Sequence, residues 1–274
     1  MVGRTRLIGA AVLAASLSAA PTAARAQEAT QDRRFLFSIS TLPADRPRVS
    51  VHLDTLVGER AFDVVDSDRP EQRFGVQAAL AHRLTFVGRI GMAINDDDMR
   101  FSRGSSQQGE LLYSVIESPR SEASVAVGAG MRHESAGVNV LTGRIAAGRT
   151  FSAWRLDGNV LFERPFSLGR DAVDVITTFG VSRALTRAVH AGVEIIGEDL
   201  EGFWEADETE GGARLLVGPS LRIAPPSRHW QIGAAGGPMI HATRSGRTSD
   251  ASRSLPASSG HTGYAARVAF GYAF

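Results

Sequence analysis

Cysteine and lysine are both absent from this 274-residue chain, so every side chain with a fixed positive charge is an arginine. Without cysteine the chain has no disulfide framework, no thiolate zinc site and no cysteine nucleophile, and it suits an oxidising compartment in which stray thiols would mispair. Basic and acidic residues are nearly equal in number, 30 against 29. That balance gives no long-range attraction to nucleic acid, so we expect no nucleic-acid partner.

Long apolar runs and helical periodicity are also scarce. After residue 30 no uninterrupted apolar stretch approaches the roughly 20 residues that a membrane-spanning helix needs. Apolar residues seldom recur at the three- and four-residue spacing of a core helix. We therefore expect helices to be a minor element of the fold.

The first 26 residues have the order of a secretory signal peptide. Arg4 and Arg6 precede an apolar run from Leu7 to Leu17, and Ala24-Arg25-Ala26 supplies a small-x-small cleavage site. A membrane anchor is the alternative, but the apolar run is about half of a spanning length. We predict a signal peptide over residues 1–26 cleaved near Ala26, an N-terminal segment over 27–48 and a main domain over 49–274.

After the predicted signal peptide, apolar residues alternate with polar or small ones at every second position. Between Ser124 and Arg132, valine, alanine and methionine alternate with serine, alanine, glycine and arginine, and the stretch from Arg214 to Ile223 repeats the arrangement. Such alternation predicts strands with one oily face and one polar or small-residue face. Cutting the chain at turn-rich and charged segments gives twelve strands, near residues 50–62, 72–81, 85–93, 110–117, 122–132, 138–147, 152–163, 172–182, 187–198, 213–223, 228–239 and 262–274. Residues 35–41 form either a further strand or a short N-terminal piece outside the sheet, ahead of Pro43 and Pro47. The strand count ranges from ten to fourteen.

The connections between these strands alternate in length. Short ones at 82–84, 118–121, 148–151, 183–186 and 224–227 are separated by longer ones at 63–71, 95–109, 164–171, 199–212 and 241–261. Only 133–137 is short where a long connection is expected. The repeating unit is therefore a β-hairpin.

The last strand carries the most specific pattern. One face of this strand carries only hydrophobic residues: Tyr264, Ala266, Val268, Phe270, Tyr272 and Phe274. The sequence ends on the aromatic residue Phe274. Here the chain resembles the bacterial outer-membrane β-barrels, whose terminal strand carries alternating hydrophobic residues and a final aromatic residue that the barrel-assembly machinery recognises. The resemblance implies an assembly signal formed by Phe270, Tyr272 and Phe274, short periplasmic turns, longer extracellular loops and a Gram-negative outer membrane.

The physics of the bilayer favours the same architecture. In hydrocarbon every backbone amide needs a partner, and among sheets only a closed one leaves no edge unpaired. A soluble periplasmic sandwich would also show alternating strands, but it would explain neither the terminal strand nor the loop rhythm. We predict an all-β fold, a closed antiparallel transmembrane β-barrel of about twelve strands.

The polar face of these strands would line the lumen. Both signs of charge occur on it, so the lumen is either a narrow polar path for small solutes or a bore closed by ion pairs, for instance among Arg155, Asp157, Arg222 and Glu194. The second outcome is slightly favoured. The predicted lumen-lining residues are His52, Asp54, Gln77, Arg89, Arg155, Asp157, Asn159, Glu163, Asp174, His190, Glu194, Arg214, Arg222, Gln231 and Arg267.

One arrangement has the chemistry of a catalyst. His133 and Ser135 are two residues apart, so on a strand both point the same way, and the imidazole would activate the hydroxyl as a nucleophile. The pair resembles the His-x-Ser pair of outer-membrane lipid hydrolases, which implies phospholipase or lipid A deacylase activity with a third polar residue orienting the histidine: Asn139, Asn159 or Glu163. The other interpretation is a plain hairpin tip over residues 132–137.

These patterns lead to one main hypothesis and one alternative. We expect a non-enzymatic outer-membrane β-barrel that forms a narrow solute path or a structural surface element, with no catalytic residue, no metal and no cofactor. Its expected partners are outer-membrane lipids, lipopolysaccharide and the barrel-assembly machinery. The alternative is a lipid hydrolase that uses His133 and Ser135.

Overall fold

The computed structural model describes residues 35–38, 49–58, 70–93, 105–118, 123–134, 137–166, 173–203, 213–226, 228–242 and 262–274. Among them, no helix has the length and apolar character needed to cross a membrane. Twelve strands dominate these ranges, and a single turn of 3₁₀ helix lies at Leu200–Phe203. The strands are β1 (Val49–Gly58), β2 (Glu71–Ala81), β3 (Leu84–Ala93), β4 (Ser105–Ser118), β5 (Ala123–Glu134), β6 (Asn139–Phe151), β7 (Trp154–Pro165), β8 (Asp174–Ala184), β9 (Val189–Glu198), β10 (Ala213–Ile223), β11 (Trp230–Ala242) and β12 (Thr262–Ala273).

All twelve strands join into one closed antiparallel barrel. Each strand pairs with its neighbours in sequence, and β1 pairs with β12 to close the ring. The amide of Phe274 donates a hydrogen bond of 2.9 Å to the carbonyl oxygen of Val49 at this seam. The prediction of a closed β-barrel of about twelve strands is confirmed.

The strand connections divide the barrel into two distinct ends. Two-residue turns at 82–83 and 152–153 and the short connection at 185–188 lie at the end where β1 begins, which we call the turn end. The opposite end, which we call the loop end, contains the last residues of β1, β3, β9 and β11 and the first residues of β2, β4, β10 and β12. The strand ends that the predicted long connections join therefore lie at the same end of the barrel.

One predicted turn is wrong. The sequence suggests a turn at 148–151, but β6 continues to Phe151 and the chain reverses at Ser152, which has a left-handed φ of 54°. Gly148 lies in the strand because its inward face is crossed by the side chains of Arg155 and Asp157, which a Cβ atom there would strike. This glycine provides room for an ion pair rather than a bend.

The candidate strand at residues 35–41 is also not seen in its described part. Residues 35–38 form bends, and 39–41 lie outside the described residues. Phe35, Leu36 and Ser38 are nevertheless 2 to 7% exposed. A short piece of the N-terminal segment is therefore enclosed by the barrel without joining its sheet.

The distribution of side chains is inverted relative to a soluble protein. Large hydrophobic residues along the strands are about half exposed, among them Leu53, Leu111, Met131, Ile145 and Val268. Charged residues such as Asp54, Glu110 and Arg267 are buried in the interior. An outward apolar belt around a polar interior is the pattern of a barrel in contact with lipid.

Candidate functional site

The site is the barrel lumen, and period-two alternation decides which residues reach it. In β1 the burial pattern alternates strictly, with Ser50, His52, Asp54 and Leu56 inward and the apolar residues between them outward. Of the predicted lumen-lining residues, eleven are buried inside the barrel: His52, Asp54, Gln77, Asp157, Asn159, Glu163, Asp174, Glu194, Arg214, Arg222 and Arg267. Arg89, Arg155, His190 and Gln231 are partly buried.

Several inward charges were not among the predicted residues. They are Glu71, Arg73, Glu110, Arg132, Glu134, Arg144 and Glu198. The signal that identifies them is the phase of the small residues: Arg132 shares a face with Gly128 and Gly130, and Arg144 shares one with Ala146. Including every charged residue in phase with these small residues would have identified both arginines.

Arginine–carboxylate pairs run along the wall of the lumen. Arg132 on β5 binds Glu163 on β7 through contacts of 2.5 and 2.7 Å, and Arg144 on β6 binds Glu110 on β4 at 2.6 Å. Each of these pairs spans one intervening strand. The pair of Arg132 and Glu163 is bidentate and therefore directional, whereas Arg144 donates to Glu110 through Nε and to Asn159 through a second nitrogen.

Three of the four residues singled out for closing the bore, Arg155, Asp157 and Arg222, make contacts along the wall as well. Arg155 is paired with Asp157 on its own strand and donates a 2.9 Å hydrogen bond to Thr150. Arg222 lies 3.2 Å from Nδ1 of His190 on the adjacent strand. Glu194 instead binds a segment inside the lumen that is not part of the barrel wall.

The segment that Glu194 binds is the tetrapeptide Phe35–Ser38, which we call the plug segment. The carboxylate of Glu194 accepts hydrogen bonds from the backbone amides of Leu36, at 3.0 Å, and Phe37, at 2.8 Å. From the other side, Arg267 donates a 2.7 Å hydrogen bond to the carbonyl oxygen of Leu36. The backbone of the plug segment is thus held between an anion and a cation of the lumen.

Side chains of the plug segment make further contacts with the wall. The Arg267 guanidinium lies 5.7 Å from the centre of the Phe37 ring, and Ser38 Oγ is 2.9 Å from Thr178 Oγ1. Leu36 packs against Ala235 and Ala269. The plug segment therefore occupies the middle of the lumen.

Towards the loop end, the lumen contains a cavity of about 110 Å³. Among the described residues that line it, two are acidic, Glu163 and Glu198, and five are arginines. We call it the arginine chamber, after Arg73, Arg89, Arg132, Arg144 and Arg267. Phe37 of the plug segment also lines it, so the plug segment forms part of its boundary.

Towards the turn end, the lumen contains a cavity of only about 20 Å³. His52, His190, Glu194 and Arg222 line it together with Leu36 of the plug segment. A space of this size holds about one water molecule. The lumen is therefore polar on both sides of the plug segment and roomy on one.

The three residues of the predicted assembly signal lie on the outward face of β12 and its end. Phe270 is 45% exposed, Tyr272 38% and Phe274 72%. The rings of Tyr272 and Phe274 meet edge to face with centroids 5.1 Å apart. All three rings are accessible from outside the barrel.

The alternative catalytic pair is only partly described. His133 is exposed on the outer surface at the loop end of β5, and its Nδ1 is 2.9 Å from Oδ1 of Asn139, directly opposite on β6. Ser135 lies outside the described residues. Of the three predicted orienting residues, Asn139 is the one in contact with His133, whereas Asn159 and Glu163 are buried in the lumen.

Comparison with known proteins identifies the architecture. No protein-family model matches the chain, and no curated protein sequence matches it. Among solved structures it is similar to the KdgM porin in complex with disordered oligogalacturonate, with 11% identity, a TM-score of 0.51 and coverage of 82% of this chain and 99% of that one. The NanC porin is similar at 11% identity and a TM-score of 0.51, covering 80% and 98%. The chain has the fold of an outer-membrane β-barrel.

Proposed function

We propose that this protein is a non-enzymatic outer-membrane channel that provides a narrow path for small solutes and favours anionic ones. The observation that carries the proposal is the arginine chamber, a cavity of about 110 Å³ inside a ring of strands with a lipid-compatible surface. Four of its five arginines are paired with carboxylates: Arg73 with Glu71, Arg132 with Glu163, Arg144 with Glu110 and Arg267 with Asp54. Of these carboxylates only Glu163 lines the cavity, so it is mainly guanidinium groups that face a solute there, and these are suited to bind carboxylates. The KdgM porin, whose structure was solved with an oligogalacturonate, supports a carboxylate-bearing solute as the class to test first.

The location and partners follow from the same surface. An outward belt of exposed leucine, isoleucine, valine and phenylalanine fits the hydrocarbon of an outer membrane, with lipopolysaccharide around the loop end. The turn end then faces the periplasm. The exposed aromatic residues of β12 are available to the barrel-assembly machinery.

Conductance measurements test the channel. Purified protein and a Leu36→Ala variant with a weakened plug segment are reconstituted in planar bilayers with a salt gradient across the membrane. We expect single-channel events whose reversal potential indicates anion selectivity, and weaker selectivity after Arg89→Ala. Bilayers that stay silent with both proteins, or cation-selective events, would contradict the proposal.

A second candidate is lipid hydrolysis, and the hydrogen bond between His133 and Asn139 is the observation that favours it. An exposed histidine oriented by an amide at the outer rim is placed to activate a neighbouring hydroxyl on a lipid substrate. The same contact is also what a directly opposed cross-strand pair forms in a hairpin. The channel is therefore our first choice.

The two candidates are separated by turnover of labelled phospholipid and lipopolysaccharide. If hydrolysis is the function, Ser135→Ala abolishes turnover, Asn139→Ala lowers it, and His82→Ala at the opposite end leaves it unchanged. Absence of turnover in the parent protein removes this candidate.

A further inference from the structure

Two charged side chains of the lumen, one acidic and one basic, bind the backbone of a single residue of the plug segment. The amide of Leu36 donates to the carboxylate of Glu194, which is 2% exposed, and its carbonyl oxygen accepts from Arg267, which is 4% exposed. Arg267 is also paired with Asp54, so the cation is fixed in place on the opposite side. A buried carboxylate and a buried guanidinium both receive polar partners from the plug segment, as buried charges require.

The wall is also shaped to receive the side chains of the plug segment. A Cβ atom at Gly180 on β8 would lie 2.5 Å from the ring of Phe35, and one at Gly233 on β11 would lie 3.0 Å from Leu36. The first distance leaves no room for a side chain, and the second would force Leu36 to shift. Two inward glycines therefore form the recesses in which Phe35 and Leu36 lie.

The position of the plug segment interrupts the lumen. Leu36 lines the small cavity on the turn side, whereas Phe37 lines the arginine chamber on the loop side. A third cavity of about 20 Å³ is lined by Ser38, and it shares His52 with the small cavity and Arg73 and Arg89 with the arginine chamber. The plug segment therefore borders all three cavities that a solute would have to pass. The segment is attached by wall side chains rather than as a strand of the sheet, so its release requires no strand of the barrel to separate.

We propose that Phe35–Ser38 is a removable plug that closes the channel, and that contacts with Glu194, Arg267, Gly180 and Gly233 set the fraction of time for which it is closed. This inference rests on the proposed channel function. When the plug segment leaves, water can hydrate Glu194, and Arg267 retains Asp54 as its partner. The closed and open states therefore both satisfy the buried charges.

A disulfide lock tests the plug directly. The chain has no cysteine, so Ser38→Cys with Thr178→Cys introduces the only two thiols, at positions where the native oxygen atoms are 2.9 Å apart. Oxidation with diamide should abolish channel events, and reduction with dithiothreitol should restore them. Each single-cysteine variant should conduct alike under both treatments.

A second variant keeps the test independent of the lock. Gly180→Val places a side chain where the ring of Phe35 lies, so we expect the open fraction to rise at least several-fold over the parent protein. The matched control is Gly143→Val, because a Cβ atom at Gly143 meets no other atom within 4 Å. The control should gate like the parent.

The outcomes separate the plug from the channel. If parent, locked, reduced and Gly180→Val proteins all conduct with the same open fraction, the plug is overturned and the channel stands. If none of them conducts, the channel itself is overturned. Loss of events only in the oxidised double variant, with a raised open fraction in Gly180→Val, supports both.

Discussion

Arg132 on β5 is bound to Glu163 on β7, so their salt bridge crosses the strand that lies between them. Arg144 and Glu110 do the same across β5. The hydrogen-bond ladder joins only adjacent strands, whereas these pairs connect strands that do not touch through their backbones. They are therefore placed to hold the curvature of the barrel.

Removing one member of the first pair should destabilise the barrel. Glu163→Gln leaves Arg132 with Glu134, whose Oε1 is 3.1 Å away, so we expect a loss of about 3 kcal/mol, the lower end for breaking a buried pair. The measurement is urea unfolding in phospholipid vesicles. Phe162→Leu, outward on the same strand, is the control and should cost less than about 1.5 kcal/mol. Equal losses would show that the pair has no special role.

A charge on the outward face should reveal the lipid boundary. Leu53 is 53% exposed in the middle of β1, and Leu53→Arg should cost about 2 to 4 kcal/mol in a bilayer. Val57→Arg, nearer the loop end of the same strand, should cost about 1 kcal/mol or less. Vesicle unfolding measures both variants. If the two variants lose the same free energy of unfolding, Leu53 does not lie deeper in the bilayer than Val57, and the proposed position of the apolar belt is wrong.

The exposed terminal ring should matter more for assembly than for stability. Phe274→Ala removes one edge-to-face contact with Tyr272, worth about 1 kcal/mol, so refolding in vitro should change little. In cells, the amount of folded protein in the outer membrane should fall several-fold. Phe151→Ala, an exposed aromatic residue near the same end, serves as the control and should assemble normally. Normal assembly of Phe274→Ala would exclude the signal.

Removal of the predicted signal peptide can be tested by measuring the mass of the mature protein. The protein isolated from outer membranes should begin near Gln27, after removal of residues 1–26. Intact-mass spectrometry of the purified protein gives the answer in one measurement. A mass that includes Arg4 and Arg6 would contradict cleavage and would leave a positively charged leader in the mature chain.

Most of the barrel could be predicted from the sequence because each strand carries its own signal. Alternation such as that in β1 and β12 specifies a strand and its inward face together. The position of a turn is less certain, as Gly148 shows: glycine is typical of turns, yet here it makes room for the pair between Arg155 and Asp157. Local composition cannot distinguish these two uses.

The site was less predictable than the fold. Phase alone places Glu163 and Arg267 in the lumen, but their partners depend on how far the wall curves, which no single strand encodes. Phe35-Leu36-Phe37 reads as an apolar strand, and its burial among charges depends on recesses at Gly180 and Gly233, far away in the sequence. Contacts of this range require the assembled barrel.

The seam between β1 and β12 determines when the structure can become complete. Because the first strand finds its second neighbour only in the last, any shorter nascent chain exposes unpaired amides along two borders. Insertion strand by strand during synthesis would leave those borders facing acyl chains. Closure of the sheet in the membrane therefore requires β12, and no part of the barrel can reach its final pairing at both borders before that strand has been made.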